Sequence, residues 1–195
     1  MLKRLTTVIV LMLAFTTLAI AQKWEFDKPH SNIGFSVRHL VITKTIGRFD
    51  DYSGYVIFDG KNVETGEVEI AIHVNSINTE NQKRDEHLRS GDFFDVEKYP
   101  TMKFKSKKII KGAGNNFKIV GDLTIKDVTR EVILDAELNG VLAGPMGETR
   151  AGFTIRTKIN RHDFNVAWNN KLQDGTLIVG EEVDINLEIE LIKEK

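Results

Sequence analysis

Period-two alternation of apolar and polar side chains, sustained along most of the chain, is the feature that most limits what this sequence can fold into. Ile33, Phe35, Val37 and Val41 alternate with Ser36, Arg38 and Leu40; Val68, Ile70, Ile72 and Val74 alternate with Glu67, Glu69, Ala71 and His73. The same rhythm runs through Phe117–Ile125, Val132–Leu138 and Ala151–Ile159, and it closes with Val183–Leu191 set against Glu182, Asp184, Asn186, Glu188 and Glu190. Residues two apart share one face of a strand, so each segment reads as a half-buried strand. Further segments near 52–59 and 101–110 bring the count to about eight. Short polar turns such as Asp59-Gly60-Lys61-Asn62 and Lys111-Gly112-Ala113-Gly114 join them, which suits a sequentially wound antiparallel sheet.

One stretch breaks the rhythm. Thr79-Glu80-Asn81-Gln82 has the form of a capping box, Lys83 to Ser90 is rich in helix formers, and Gly91 stops it. A single short helix cannot cover eight apolar faces, so the sheet must close into a barrel or fold into a sandwich. An eight-stranded barrel is either filled by its own side chains or holds one slender ligand. Gly34, Gly121, Gly152 and Ala136 leave room inside, whereas glycines in strands also mark bulges, so on pattern alone a cavity and a filled interior stand level.

The N-terminus is of a different kind. Met1 to Arg4 is cationic, Leu5 to Ile20 is almost wholly apolar, and Ala19-Ile20-Ala21 places small residues two apart before Gln22. This predicts a secretory signal peptide over residues 1–21, cleaved after Ala21, with a periplasmic or secreted product of residues 22–195 forming one domain. The competing reading is a membrane anchor, since the run approaches the ~17 residues that a span requires. Without residues 1–21 the chain carries 25 basic and 28 acidic side chains, a balance that argues against a nucleic-acid partner. Cysteine is absent, which removes disulfides, thiolate zinc sites and thiol nucleophiles.

Little in the residues promotes catalysis. His30, His39, His73, His87 and His162 are scattered with no H-x-H or H-E-x-x-H spacing, so no metal site is expected. There is no G-x-S-x-G elbow, and Asp50-Asp51 and Glu181-Glu182 sit at turns where adjacent side chains diverge. Unusual residues concentrate between 78 and 106, including Arg84-Asp85, Phe93-Phe94 and Tyr99-Pro100. They either pin the helix to the barrel or belong to a site.

These residues carry a resemblance. His30-Ser31, Phe35-Ser36-Val37-Arg38-His39-Leu40, Gly47-Arg48-Phe49, Asn78-Thr79, Arg84 to Ser90, Phe93-Phe94-Asp95, Tyr99-Pro100, Gly121 to Ile125, Val128-Thr129, Arg161 with Asp163-Phe164, and Val179-Gly180 occur in an order that resembles the YceI-like family of exported polyisoprenoid-binding proteins. Asp127 and Asn165 stand where that pattern usually has glycine; both residue types tolerate left-handed backbone, so the turns are expected to survive. The resemblance implies an all-β, eight-stranded antiparallel lipocalin-like barrel with one short inserted helix. It also implies a non-enzymatic role: holding an isoprenoid quinone or polyprenyl lipid as ligand, with no other cofactor.

Face register and motif membership together nominate Phe35, Val37, Phe49, Ile70, Ile72, Phe104, Phe153 and Trp168 as lining, with His39 and Arg84 as polar contacts. Transient membrane contact for lipid exchange accompanies that reading, and the oligomeric state is open between monomer and homodimer. The alternatives are an extracytoplasmic enzyme acting on a small substrate and an outer-membrane barrel. The second requires aromatic girdles that 3 Tyr and 2 Trp hardly supply.

Overall fold

Kinks in the first three long strands allow one meander to close on itself. In the computed structural model, which describes residues 22–194, β1 (Gln22–Phe26) is separated from β2 (Asn32–His39) by a 3-10 turn at Lys28–His30. Pro29 lies in that turn, where its fixed φ and missing N–H interrupt the ladder. Similarly, Asp50-Asp51 divides β3 (Thr43–Phe49) from β4 (Tyr52–Phe58), and a 3-10 turn at Val74–Ser76 divides β5 (Glu67–His73) from β6 (Ile77–Asn78). Five unbroken strands follow: β7 (Thr101–Lys111), β8 (Asn116–Ile125), β9 (Val128–Ala143), β10 (Thr149–Asn160) and β11 (Val179–Lys193).

All pairings between these strands are antiparallel. β1 pairs with β4, β2 with β3, β3 with β6 and β4 with β5; then β5-β7-β8-β9-β10-β11 run in order. Closure comes from β11, which pairs with β2 through Val179–Glu188 and with β1 through Leu191–Lys193. Each kinked pair counts as one strand, so the result is the eight-stranded closed barrel expected from the alternation. Closure pairs each long strand on both sides over most of its length.

Alternation places one row of side chains inside. Trp24, Phe58, Phe117, Ala136, Ala151, Phe153 and Leu191 are buried together near one end. There Trp24 stacks on Phe58 at 4.8 Å, and its Nε1 donates to the Phe58 carbonyl oxygen. Outward faces are polar: β7 shows Lys103, Lys105 and Lys107, and β11 shows Glu181 and Glu182.

The opposite end is covered by the one α-helix among the described residues, α1 (Gln82–Arg89), its exit loop, and the segment after a 3-10 turn at Arg161–Phe164. Here the expected capping box is not formed. Asn81 caps the helix by accepting from Arg84 N–H at 3.1 Å, while buried Thr79 turns to the Asp85 carboxylate, giving it N–H and hydroxyl bonds of 2.9 and 2.5 Å. Asn165 does adopt left-handed backbone (φ 58°). At the β8–β9 turn, however, the left-handed residue is Lys126 (φ 56°) instead of Asp127.

Candidate functional site

The barrel interior holds a cavity of about 160 Å³. Its walls run from Phe58 and Phe117 near the Trp24 end to Phe49 and Ile125 near the helix end, and every lining residue is apolar or glycine. Along β8, Phe117 to Ile125 spans eight residue steps, roughly 26 Å of strand and about 20 Å along the axis of a tilted barrel. At the Trp24 end the lining residues Phe58, Phe117 and Leu191 are buried, while Val63 and Ile109 keep part of their surface accessible. Toward the helix end, inward-facing Phe35, Ile72, Leu123, Val132, Ile155, Ile185 and Leu187 keep part of their surface accessible.

Two glycines seat aromatic rings in this wall. A Cβ on Gly121 would lie 2.6 Å from Phe104 Cζ, and one on Gly47 would lie 2.8 Å from Phe35 Cε1. The space that Gly121 opens is therefore filled by Phe104. Gly152 instead marks the register shift between β9 and β10.

Of the residues nominated from the sequence, Phe35, Phe49, Ile70, Ile72, Phe104 and Phe153 line the cavity. Four do not, and each has a physical reason. Val37 and His39 sit beyond the cavity's end, where β2 runs out opposite Thr45 and Thr43 of β3. Arg84 donates to Thr79 Oγ1 at 2.7 Å and to the Thr79 carbonyl oxygen at 2.6 Å, so it fastens the helix entry. Trp168 stacks on Phe93 at 5.3 Å with the His87 ring edge-on at 5.5 Å, forming the cover of the barrel end. Lys126 ties that cover down by donating to the carbonyl oxygens of Phe93 and Asn165 at 3.1 and 3.0 Å.

A polar cluster that the sequence did not suggest lies outside the cavity at the β1–β2 kink. Ligand atoms of Asp27, His30 and Glu190 gather within 4.8 Å of one another, a grouping able to hold a metal ion. Here the Arg150 guanidinium supplies the positive charge, donating to Asp27 at 2.6 Å, to Glu148 at 2.6 Å, and to Glu190. Burial pushes the Asp27 carboxyl up, but hydrogen bonds from His30 and Arg150 outweigh it and hold it below the usual carboxylate range. Closure of β11 on β1 makes the cluster, so no local motif announces it.

Near the other end Arg161 is buried and donates to the carbonyl oxygens of Val166 at 2.6 Å, Gly180 at 2.8 Å and Val179 at 3.4 Å. Burial lowers its pKa. It joins the cover segment to the start of β11.

Comparison with known proteins agrees with this architecture. A family model described as the YceI-like domain matches residues 24–191, and a UPF0312 protein of Photorhabdus laumondii is 38% identical over 98% of this chain and 96% of its own. The chain belongs to the YceI-like family. A UPF0312 protein of Staphylococcus aureus is 36% identical over 82% of the chain and 91% of its own. Among solved structures, the Campylobacter jejuni YceI protein superposes with a TM-score of 0.71 at 37% identity, covering 87% of this chain and 96% of that one. BcnA of Burkholderia cenocepacia superposes at 0.74 with 25% identity, covering 85% and 99%. A polyisoprenoid-binding domain from Saccharophagus degradans shares the fold at 0.65 with 15% identity, covering 88% and 98%.

Proposed function

We propose that this protein is a non-enzymatic carrier or reservoir for a long isoprenoid, a quinone or a polyprenyl lipid, held in the barrel interior. The observation that carries the reading is the wall itself: from end to end it offers a ligand no hydrogen-bond donor or acceptor from a side chain. Such a surface rewards only the removal of apolar area from water. At ~0.8 kcal/mol per methylene-sized group, each five-carbon unit gains on the order of 3–4 kcal/mol, so a few units suffice for tight binding. A wholly apolar interior also lacks the converging acid, base or nucleophile that an enzyme of a small polar substrate requires. The binding named for the Saccharophagus degradans domain is in keeping with this reading.

A cavity of this volume seats about one benzene-sized guest. A longer chain therefore requires lining side chains to turn aside, and the half-accessible Phe35, Ile72 and Leu187 are placed to do so. Export through the N-terminal segment, which lies outside the described residues, places the carrier in the periplasm or outside the cell. Exchange there takes place at a membrane surface, and the β2–β3 tip suits it: Val41 and Ile42 are 63% and 80% exposed. Titration with ubiquinones of increasing tail length tests the reading. Affinity should climb with each added unit until the tube is full; affinity indifferent to tail length would defeat it.

A further inference from the structure

The barrel wall has a slit. β9 and β10 pair from Thr149↔Ala143 to Arg156↔Asp135, and there the ladder stops, although both strands continue. Beyond it, residues 128–134 of β9 pair only with β8, and residues 157–160 of β10 only with β11. Among the described residues one side-chain hydrogen bond, Thr157 Oγ1 to the Ile133 carbonyl oxygen at 2.8 Å, crosses the gap. The far end is roped by Asn165 to Asp127 at 3.4 Å and by Arg130 to the Asp163 carbonyl oxygen at 3.5 Å. Unpaired backbone in the middle of a sheet is costly unless water or a ligand satisfies it.

The slit opens on a surface cleft whose lining includes Val132, and Val132 also lines the interior cavity. Apolar tube and outer surface thus meet at one side chain. The cleft has what the tube lacks: Arg130, Lys158 and Asn160 stand around its apolar floor of Val132, Ile159 and Phe164, with Glu131 and Asp163 beside them. Lys158 is paired with Glu182 at 3.1 Å and Glu131 with Lys107 at 3.2 Å. Arg130 has no carboxylate partner among the described residues.

We propose that this slit is the lateral portal of the cavity and that the ligand's polar head stays in the cleft, hydrogen-bonded by Arg130. The inference rests on the isoprenoid reading and deepens it. Because no side chain inside the tube can satisfy a polar head, the head must stay where donors are. The two acids beside those donors favour an uncharged, oxygen-bearing head, such as a quinone ring, over a diphosphate.

The lack of cysteine makes a clean test available. Continuing the β9–β10 register past Arg156↔Asp135 would set Lys158 opposite Ile133 across the gap, so an Ile133→Cys, Lys158→Cys variant is designed to be closed by oxidation and reopened by reduction. Oxidation should slow ubiquinone uptake tenfold or more relative to the same protein reduced. Arg130→Ala, which removes the 3.5 Å contact to the Asp163 carbonyl oxygen but keeps the Thr157–Ile133 and Asn165–Asp127 bonds across the gap, should weaken ubiquinone binding roughly five- to tenfold. Its binding of squalene, a tail without a head, should be unchanged when both are read by displacement of an apolar dye. Polyprenyl phosphate serves as a third probe, and a larger loss there than with ubiquinone would overturn the preference for an uncharged head. Equal uptake rates oxidised and reduced, with Arg130→Ala silent toward every probe, would overturn the portal. Failure of the wild type to bind squalene and ubiquinone alike would instead overturn the isoprenoid reading.

Discussion

Truncating Phe104 separates two roles of one wall residue. Its ring is 6% exposed and lies over Gly121, opposite Ile70 of β5. A buried aromatic removes some 150–250 Å² from water, which at ~25 cal/mol/Å² sets an upper bound of about 4–6 kcal/mol; truncations of this kind cost about 3–5 kcal/mol. In a domain of this size each kcal/mol moves Tm by roughly 2–4 °C, so ligand-free Phe104→Ala should melt on the order of 10 °C below the wild type. The vacated volume joins the cavity, and a bound isoprenoid can fill it. Saturating ubiquinone should therefore raise the Tm of Phe104→Ala by more than it raises that of the wild type. Thermal melts by circular dichroism, with and without ligand, give both numbers. A ligand-free Tm within ~2 °C of the wild type, or a ligand shift no larger in the variant, would refute the reasoning.

Other perturbations reach the cover, the tip and the polar cluster. Asp85→Ala strands the buried N–H and hydroxyl of Thr79, so it should cost about 1–3 kcal/mol in urea unfolding while leaving ligand affinity within twofold, because the helix entry lies outside the cavity. Leu40 and Val41 both hold positive φ, 50° and 63°, which bulky side chains resist. Replacing the pair with Asn-Gly should stabilise the fold by about 1–2 kcal/mol and slow lipid uptake from vesicles; unchanged vesicle transfer would remove this tip from the exchange step. Asp27 titrates below its unfolded value of ~3.9, so its contribution is present at neutral pH and is lost as pH falls through the depressed folded value. Arg150→Met leaves burial to push that carboxyl up, so the variant should be less stable at pH 7, and urea midpoints between pH 7 and pH 2 should show it losing less stability to acid than the wild type.

Strand content was legible because alternation is local: Val68–Ile72, Phe117–Ile125 and Val183–Leu191 declare their inner faces in any eight-residue window. β1 and β3 escaped notice because Trp24 and Phe26, or Ile46 and Phe49, offer too few apolar positions for a period to show. Face register placed Phe35, Ile70, Phe104 and Phe153 correctly on the cavity wall. It says nothing of depth along the axis, which is why Val37 and His39 fall past the cavity's end. Arg84 and Trp168 stood out as motif members, but the physics behind their prominence is helix docking and covering the barrel. Contacts made by closure, such as Asp27 with Arg150 and Glu190, join residues more than a hundred positions apart and leave no local trace.

Lipid carried by natively purified protein is the sharpest check that the barrel interior is an isoprenoid site. Organic extraction followed by mass spectrometry should yield an isoprenoid lipid in proportion to protein, or the protein should take up added ubiquinone or menaquinone. Extracts that hold no lipid, from protein that also fails to bind either quinone, would contradict it.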